Sequence, residues 1–392
     1  MQRLSHIAKE PSRAIHRTTN RRRIILIILV TLLGCSCALY LGYTTTSNSQ
    51  SFDYQREFQI HNKLPEVTPH GGKTILYWNG LFEVSDFNLS EGHVSQHCPS
   101  GYNNCYATSD RNSNSIDSYD IILFHGINDE LNENDLPSKR SPDQKYIFVA
   151  LESPANRYIS SRFDSFFNAT ATYQSDSDIL WTYSDVVQIA SNGTEGVRDN
   201  QIKIEKLVKK KSRVAAWYVS NCNTKSKREK FVTELEKYMP VNKFGRCFEW
   251  LASCPRNRDC FHDEIEPNYF FYLAFENSLC EDYVTEKFFN TLKYYVVPVV
   301  YGGANYTKIA PPKSFIDAKD FKSPQHLALY LQKLTKNFTD YAEYFKWKGH
   351  YQIVSPEKRI ICDLCKLAND NKKKTYNISK WYSSSRCRLK LN

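Results

Sequence analysis

Residues 270–303 read FFYLAFENSLCEDYVTEKFFNTLKYYVVPVVYGG. An apolar run of strand length stops at Glu276-Asn277, and the chain then crosses Glu281, Asp282 and one cysteine. The pattern predicts a helix opening near Thr285 and running to about 295, and a second strand, VVPVVYGG, over 296–303. Strand, helix and strand at this spacing form the repeating unit of a parallel α/β sheet. The acid-rich seam between the first strand and the helix lies where such a sheet presents a ligand. Free N–H groups of the helix start could meet a phosphate, Lys287 on the first turn reaches the same place, and Glu286 could accept hydrogen bonds from sugar hydroxyls. A capping acid beside a snorkelling lysine fits those two residues equally well, so the ligand must be read from the rest of the chain.

Working outward, KTILYWNG (73–80), DIILFHG (120–126) and KYIFVAL (145–151) are further short apolar runs ended by polar or glycine residues, as buried parallel strands are. RVAAWYVSN (213–221) opens a second series, followed by a predicted helix over about 225–238 with Phe231, Leu235 and Tyr238 on one face, and another helix over about 324–334. The expected organisation is an α/β domain over 71–206, a second over 207–350, and a basic, cysteine-containing C-terminal tail over 351–392 whose Lys372-Lys373-Lys374 run is read as solvated.

The first 70 residues have a different composition. Residues 24–43, IILIILVTLLGCSCALYLGY, carry no charge and follow Arg21, Arg22 and Arg23, the length and flank of one membrane-spanning helix. Seven Lys or Arg against one Glu precede it, net +6, which keeps 1–23 cytosolic and places the bulk of the chain in a lumen. A cleaved signal peptide, with Ser36 and Ala38 as small cleavage-site residues, is the competing reading. Residues 44–70, rich in Thr, Ser, Asn and Gln, read as a stem.

Six glycosylation sequons, at Asn88, Asn168, Asn192, Asn305, Asn337 and Asn377, all lie past the anchor. So do ten of the 12 cysteines, for which an oxidising compartment makes disulfides the default. Cys362 and Cys365, with Cys98 and Cys105, could be imagined as a zinc site, but the wide spacing of the second pair favours disulfides. Spacing alone leaves local and long-range pairing both open. The net charge of +10 does not indicate nucleic acid: residues 351–392 hold ten Lys or Arg against three acids, which with the +6 head leaves 24–350 at −3.

FYLAFENSLCEDYVTEKFFNTL followed by VVPVVYGGANY resembles the signature of the α1,3-fucosyltransferases (glycosyltransferase family 10), most closely its invertebrate members. VAAWYVSNCNTKSKREKFVTELEKYMPVNKFGRC (214–247) and FVALESPANRY (148–158) resemble two further segments of that family. The resemblance covers roughly 73–350. It implies a GT-B fold, two Rossmann-like domains facing a cleft, behind a single transmembrane helix, with Golgi residence as a type II membrane protein. It also implies transfer of fucose from GDP-β-L-fucose, with inversion, to the 3-hydroxyl of a GlcNAc. Glu152, at the end of a strand, would be the base that takes the acceptor proton. Arg228 and Lys287 would stabilise the departing diphosphate. Asn221, Asn277, Tyr283 and Glu286 would hold donor hydroxyls, with Tyr272 near the nucleobase.

No metal is required on this reading, although Mn2+ or Mg2+ could stimulate; Asp176-Ser177-Asp178 is the acid pair that a metal-dependent transferase of another class would use. The segment 246–268, with its extra cysteines, and FKWKG (345–349) look like enzymes that fucosylate the N-glycan core. Antennal LacNAc or LacdiNAc is the alternative acceptor, and a lumenal lectin that lost its chemistry is the non-enzyme alternative.

Overall fold

The computed structural model describes residues 71–81, 84–127, 131–189, 202–248, 254–255, 258–372 and 374–387. The expected cytosolic tail, membrane anchor and stem, and the Asn192 sequon, lie outside them. Among the described residues no helix is long and apolar enough to cross a membrane.

The first half is a seven-stranded sheet in the order β2-β3-β1-β4-β5-β6-β7. Its strands are β1 (Lys73–Tyr77), β2 (Gly92–His93), β3 (Cys105–Thr108), β4 (Ile121–His125), β5 (Lys145–Ala150), β6 (Ala169–Thr172) and β7 (Ile179–Leu180), all parallel to their neighbours except β2. The strands are apolar at successive positions because both faces are covered. Ile75, Ile121, Leu123, Ile147 and Val149 enter one core, whereas the alternate residues Leu76, Ile122, Phe124, Tyr146 and Phe148 enter the other.

The second half repeats the plan with five parallel strands in the order β10-β9-β11-β12-β13. These are β9 (Arg213–Tyr218), β10 (Val241–Phe244), β11 (Tyr269–Phe275), β12 (Val297–Tyr301) and β13 (Ile316–Asp317). Helices α1 (Arg228–Leu235) and α3 (Pro324–Thr335) bury Val232, Leu235, Leu327 and Leu331 against one face. Helix α2 (Glu286–Lys293) buries Phe288, Phe289 and Leu292 against the other. Two α/β sheets in one chain, parallel except for the edge strand β2, agree with the expected GT-B plan. Helix α1 is shorter than its apolar spacing predicts: it begins after Lys227, whose φ is +56°, and ends at Leu235, so Tyr238 falls outside the buried face and is 43% exposed.

The C-terminal segment packs back onto the rest of the chain. Strand β14 (Tyr351–Val354) pairs antiparallel with β8 (Asp185–Gln188). Helix α4 (Glu357–Asn369) then returns to the first half and packs Ile360, Ile361 and Leu364 into one face of its sheet. Disulfides Cys98–Cys362 and Cys105–Cys365 fasten the helix there, which resolves the pairing as long-range. Residues 376–387 cover the opposite face with Ile378 and Tyr382. In the lysine run Lys372 is exposed and Lys374 is 61% exposed, as expected, and Lys374 Nζ also pairs with Asp178 at 2.6 Å. The remaining cysteines of the described residues form Cys222–Cys247, Cys254–Cys260 and Cys280–Cys387.

Candidate active site

Glu152 follows β5 at the C-terminal edge of the first sheet, the edge at which parallel sheets bind ligands. Three donors converge on its Oε1: the Ser153 amide at 2.8 Å, Asn156 Nδ2 at 3.1 Å and the Tyr283 hydroxyl at 2.6 Å. The turn that follows is held by the Asn156 and Arg157 amides, which donate to the Ser153 carbonyl at 3.0 and 2.9 Å. Among the described residues none donates to Oε2. A carboxylate fixed through one oxygen and open at the other can receive a proton.

Facing it, α1 begins with Arg228, which is 2% exposed. Its Nη1 donates to the Phe275 carbonyl at 2.5 Å and its Nη2 to the Asn221 carbonyl at 3.4 Å, while its buried Nε has no partner. Among the described residues no carboxylate forms an ion pair with it. Burial lowers its pKa, with Glu276 acting in the other direction, yet a guanidinium remains charged. A buried cation without a counter-ion is costly, and an anionic ligand in the cleft relieves that cost.

Residues 276–287, which the resemblance assigns to the donor side, form the loop from β11 into α2, the donor-side loop. Glu276 is fully buried and accepts from the Thr285 amide at 2.8 Å and the Thr285 hydroxyl at 2.9 Å, so it clamps the end of β11 to the start of α2. Lys287 Nζ donates to Thr285 Oγ1 at 2.8 Å and lies 3.1 Å from Glu286 Oε1 and 3.3 Å from Glu276 Oε2. Burial opposes the lysine charge, but the two carboxylates outweigh it and raise the Lys287 pKa. Burial pushes the Glu276 carboxyl up despite Lys287. Burial also acts upward on Glu286, where attraction to Lys287 wins and holds the carboxyl below its usual range. The three N–H groups of Lys287 thus face three acceptors of the same loop.

One expectation changes here. The Tyr283 hydroxyl lies on Glu152 rather than awaiting a sugar. Asp176 and Asp178 do not form a ligand pair: Arg386 clasps Asp176 from 2.8 Å, and Asp178 accepts from the Thr170 amide, Lys374 and Tyr376.

All eight residues singled out from the sequence, Glu152, Asn221, Arg228, Tyr272, Asn277, Tyr283, Glu286 and Lys287, line one cleft of about 530 Å³. The Oδ1 of Asn277 is buried and has no hydrogen-bond partner. Sequence reasoning missed Tyr183, Tyr218 and Phe261, which share the lining. Phe261 packs 4.8 Å from Tyr272 and follows directly on the Cys254–Cys260 staple, the only sequence signal that could have drawn attention to it. Gly303 lets β12 exit close to the loop, since a Cβ there would lie 2.3 Å from the Cys280 carbonyl oxygen.

Among the sequons, Asn88, Asn305 and Asn377 are exposed and Asn337 is partly so. Asn168 is poorly suited to carry a glycan, because its Nδ2 donates to the Lys374 carbonyl at 3.1 Å while its Oδ1 accepts from the Tyr146 amide.

The chain matches two family descriptions: "Fucosyltransferase, N-terminal" over residues 70–184 and "Glycosyltransferase family 10 (fucosyltransferase) C-term" over 208–382. It is 33% identical to alpha-(1,3)-fucosyltransferase C of Drosophila melanogaster over 96% of this chain and 92% of that protein. It is 31% identical to alpha-(1,3)-fucosyltransferase fut-1 of Caenorhabditis elegans, covering 80% and 70%. Mouse 4-galactosyl-N-acetylglucosaminide 3-alpha-L-fucosyltransferase 9 is also 31% identical, covering 91% and 96%. A crystal structure of an alpha1,3-fucosyltransferase with GDP superposes with a TM-score of 0.51 at 17% identity, over 79% of this chain and 95% of that one, a likeness of fold. With the cleft, the two half-chain matches and a relative spanning nearly the whole sequence, the chain belongs to glycosyltransferase family 10, the fucosyltransferases.

Proposed function

We propose that the protein is an α1,3-fucosyltransferase that moves fucose from GDP-β-L-fucose to the 3-hydroxyl of a GlcNAc on glycoprotein N-glycans, with the core GlcNAc as acceptor. The observation that carries this reading is the pairing across one cleft of a carboxylate open at one oxygen, Glu152, with a buried arginine that has no acidic partner, Arg228. The acceptor O3 attacks C1 of fucose as its proton passes to Glu152, and the C1–O bond to GDP breaks on the opposite face, giving inversion. Arg228 and the start of α2 face the oxygens that gain charge as GDP leaves. Glu286, oriented by Lys287, takes donor hydroxyls together with Asn277 and Asn221. Tyr272, Phe261 and Tyr218 form the aromatic end of the cleft, suited to the nucleobase.

Metal is not required on this reading, since Arg228 and the helix start carry the diphosphate charge and Asp176 and Asp178 are engaged elsewhere; Mn2+ or Mg2+ acts as a stimulant at most. Paired cysteines and exposed sequons support a lumenal site, with residues 24–43 as the anchor of a type II Golgi protein.

GDP release from GDP-fucose with a panel of acceptors, followed by mass-spectrometric linkage analysis, tests the proposal. Fucose on O3 of the core GlcNAc is the expected result, and no release with any acceptor overturns the enzyme reading in favour of a lectin. A second acceptor reading, Galβ4GlcNAc or LacdiNAc antennae, is favoured by the mouse relative that acts on 4-galactosyl-N-acetylglucosaminide, and transfer confined to those acceptors establishes it.

A further inference from the structure

Glu152 is held from outside its own loop by two tyrosines from distant parts of the chain. Tyr283, on the donor-side loop, donates to Oε1 at 2.6 Å. Tyr382, near the C-terminus, donates to the Glu152 main-chain carbonyl. Both are 1% exposed. Burial first, then the charges around them, including that of Glu152, raises both phenol pKa values, so both remain neutral donors. The two tyrosines are themselves joined. Cys280, three residues before Tyr283, is disulfide-bonded to Cys387, five residues after Tyr382, and the Glu281 amide donates to the Arg386 carbonyl at 3.0 Å. The same loop reaches the first half twice more, where Ser153 Oγ donates to Ser278 Oγ at 2.7 Å and the Ser175 hydroxyl donates to Asp282 at 2.6 Å.

We propose that residues 376–387 act as a strap that, with the donor-side loop, holds the Glu152 carboxylate in place, with Tyr382 and Tyr283 as positioning residues. The inference rests on the reading of Glu152 as the base. Tyr382 fixes the main chain of Glu152 and Tyr283 its side chain, so the oxygen left open keeps a constant direction toward the acceptor. Because Tyr283 stands on the loop that also carries Glu286 and Lys287, the base and the donor site are registered to each other through one hydroxyl. Catalytic efficiency depends on such placement at the sub-ångström level.

Tyr283→Phe and Tyr382→Phe each remove one hydroxyl and keep the ring, including the contact of Tyr382 with Phe148 at 5.1 Å. In purified full-length protein, kcat should fall about tenfold or more for each, with GDP affinity and the KM for GDP-fucose within about twofold. Tyr376→Phe is the control: its hydroxyl serves Asp178 on the same strap, and kcat should not change. In a Glu152→Gln background, Tyr382→Phe should lower kcat no further, since a positioning residue has nothing left to position.

Normal turnover in both tyrosine variants while Glu152→Gln is inactive overturns the strap and leaves the base reading standing. An active Glu152→Gln overturns both. A Tyr283→Phe loss confined to the KM for GDP-fucose makes Tyr283 a donor ligand, and a Tyr376→Phe loss equal to that of Tyr382→Phe makes the strap merely structural. Should Tyr382→Phe not fold, Tyr283→Phe, which leaves the strap whole, decides on the same readouts.

Discussion

Glu152 and Glu276 hold equivalent posts, each an acid just after a buried central strand of a parallel sheet, yet their surroundings differ. Glu276 is sealed from solvent, bound by Thr285 through both oxygens and 3.3 Å from a lysine. Glu152 is half-buried, held by neutral donors on one oxygen, and lines the cleft. An acid with a cation and a capping threonine serves architecture, because both of its oxygens are already engaged. An acid with neutral partners and an open oxygen can exchange a proton. Topological position brings a carboxylate to the active edge, and its partners determine what it does there.

The largest effect should come from substituting the two acids in parallel. Glu152→Gln keeps shape and cannot take the proton, so kcat should fall about 10²–10⁴-fold, with melting temperature and calorimetric GDP affinity little changed. Glu276→Gln should fail in the opposite currency. Breaking a buried ion pair destabilises by about 3 kcal/mol, so its melting temperature should drop by several degrees and activity should fall with the folded fraction. A Glu276→Gln enzyme of full stability and no turnover would exchange the two roles.

Arg228 sharpens the contrast from the cation side. Lys287 is paired with two carboxylates, whereas the hydrogen bonds of Arg228 go only to carbonyls. Arg228→Met removes a buried charge that no carboxylate among the described residues pairs with directly, so the unliganded protein should melt at the same temperature or higher. Its turnover should nevertheless fall about 10²–10³-fold, the usual consequence of losing one group that stabilises transition-state charge. A clear loss of stability in the absence of GDP would show that the arginine serves the fold.

The parts of this molecule that were legible in the sequence are those with local causes. The strands are visible because both sheet faces are buried and each run is therefore apolar throughout, and the seam at 276–287 is visible because acids interrupt such a run. The family motifs led to eight residues that do meet in one cleft. What stayed hidden depends on distant parts of the chain. In KSKREK nothing distinguishes Arg228 from its solvated neighbours until the Phe275 carbonyl and Trp217 ring close around it. Glu276 cannot be told from Glu152 by flanking residues. The return of 351–387 to the first half was illegible because its partners, Cys98, Cys105, Asp176, Asp178 and Asp185, lie roughly 170 to 270 positions away.

That return carries its own prediction. Cys98–Cys362 and Cys105–Cys365 close loops of almost equal length, with sequence separations of 264 and 260. In the chain-entropy account a loop of that size is worth about 5–6 kcal/mol, but the second bond adds little to a loop already closed. Cys98→Ser with Cys362→Ser should therefore lower the melting temperature modestly, and removal of both disulfides far more than twice as much. Equal, additive losses would mean that local packing around each cysteine, not loop closure, holds α4 on the first sheet.

The smallest effect should follow from Asp176→Asn. The sequence around it, Asp176-Ser177-Asp178, offers the spacing of a metal-binding pair, yet the two carboxylates face different cations, Arg386 and Lys374. The Asp176 carboxyl is held below its ordinary range first by the hydrogen bond from Arg386, a partly exposed pair of the kind worth about 0–1 kcal/mol. Asp176→Asn should thus leave turnover within about twofold and should not alter the response to Mn2+ or EDTA. A metal ligand would behave otherwise: its loss would abolish activity or raise the metal concentration needed for half-maximal rate. Measuring rate against Mn2+ concentration for the two proteins separates the cases. If the Asn variant shows a shifted metal requirement, Asp176 joins Glu152 on the chemical side of the comparison.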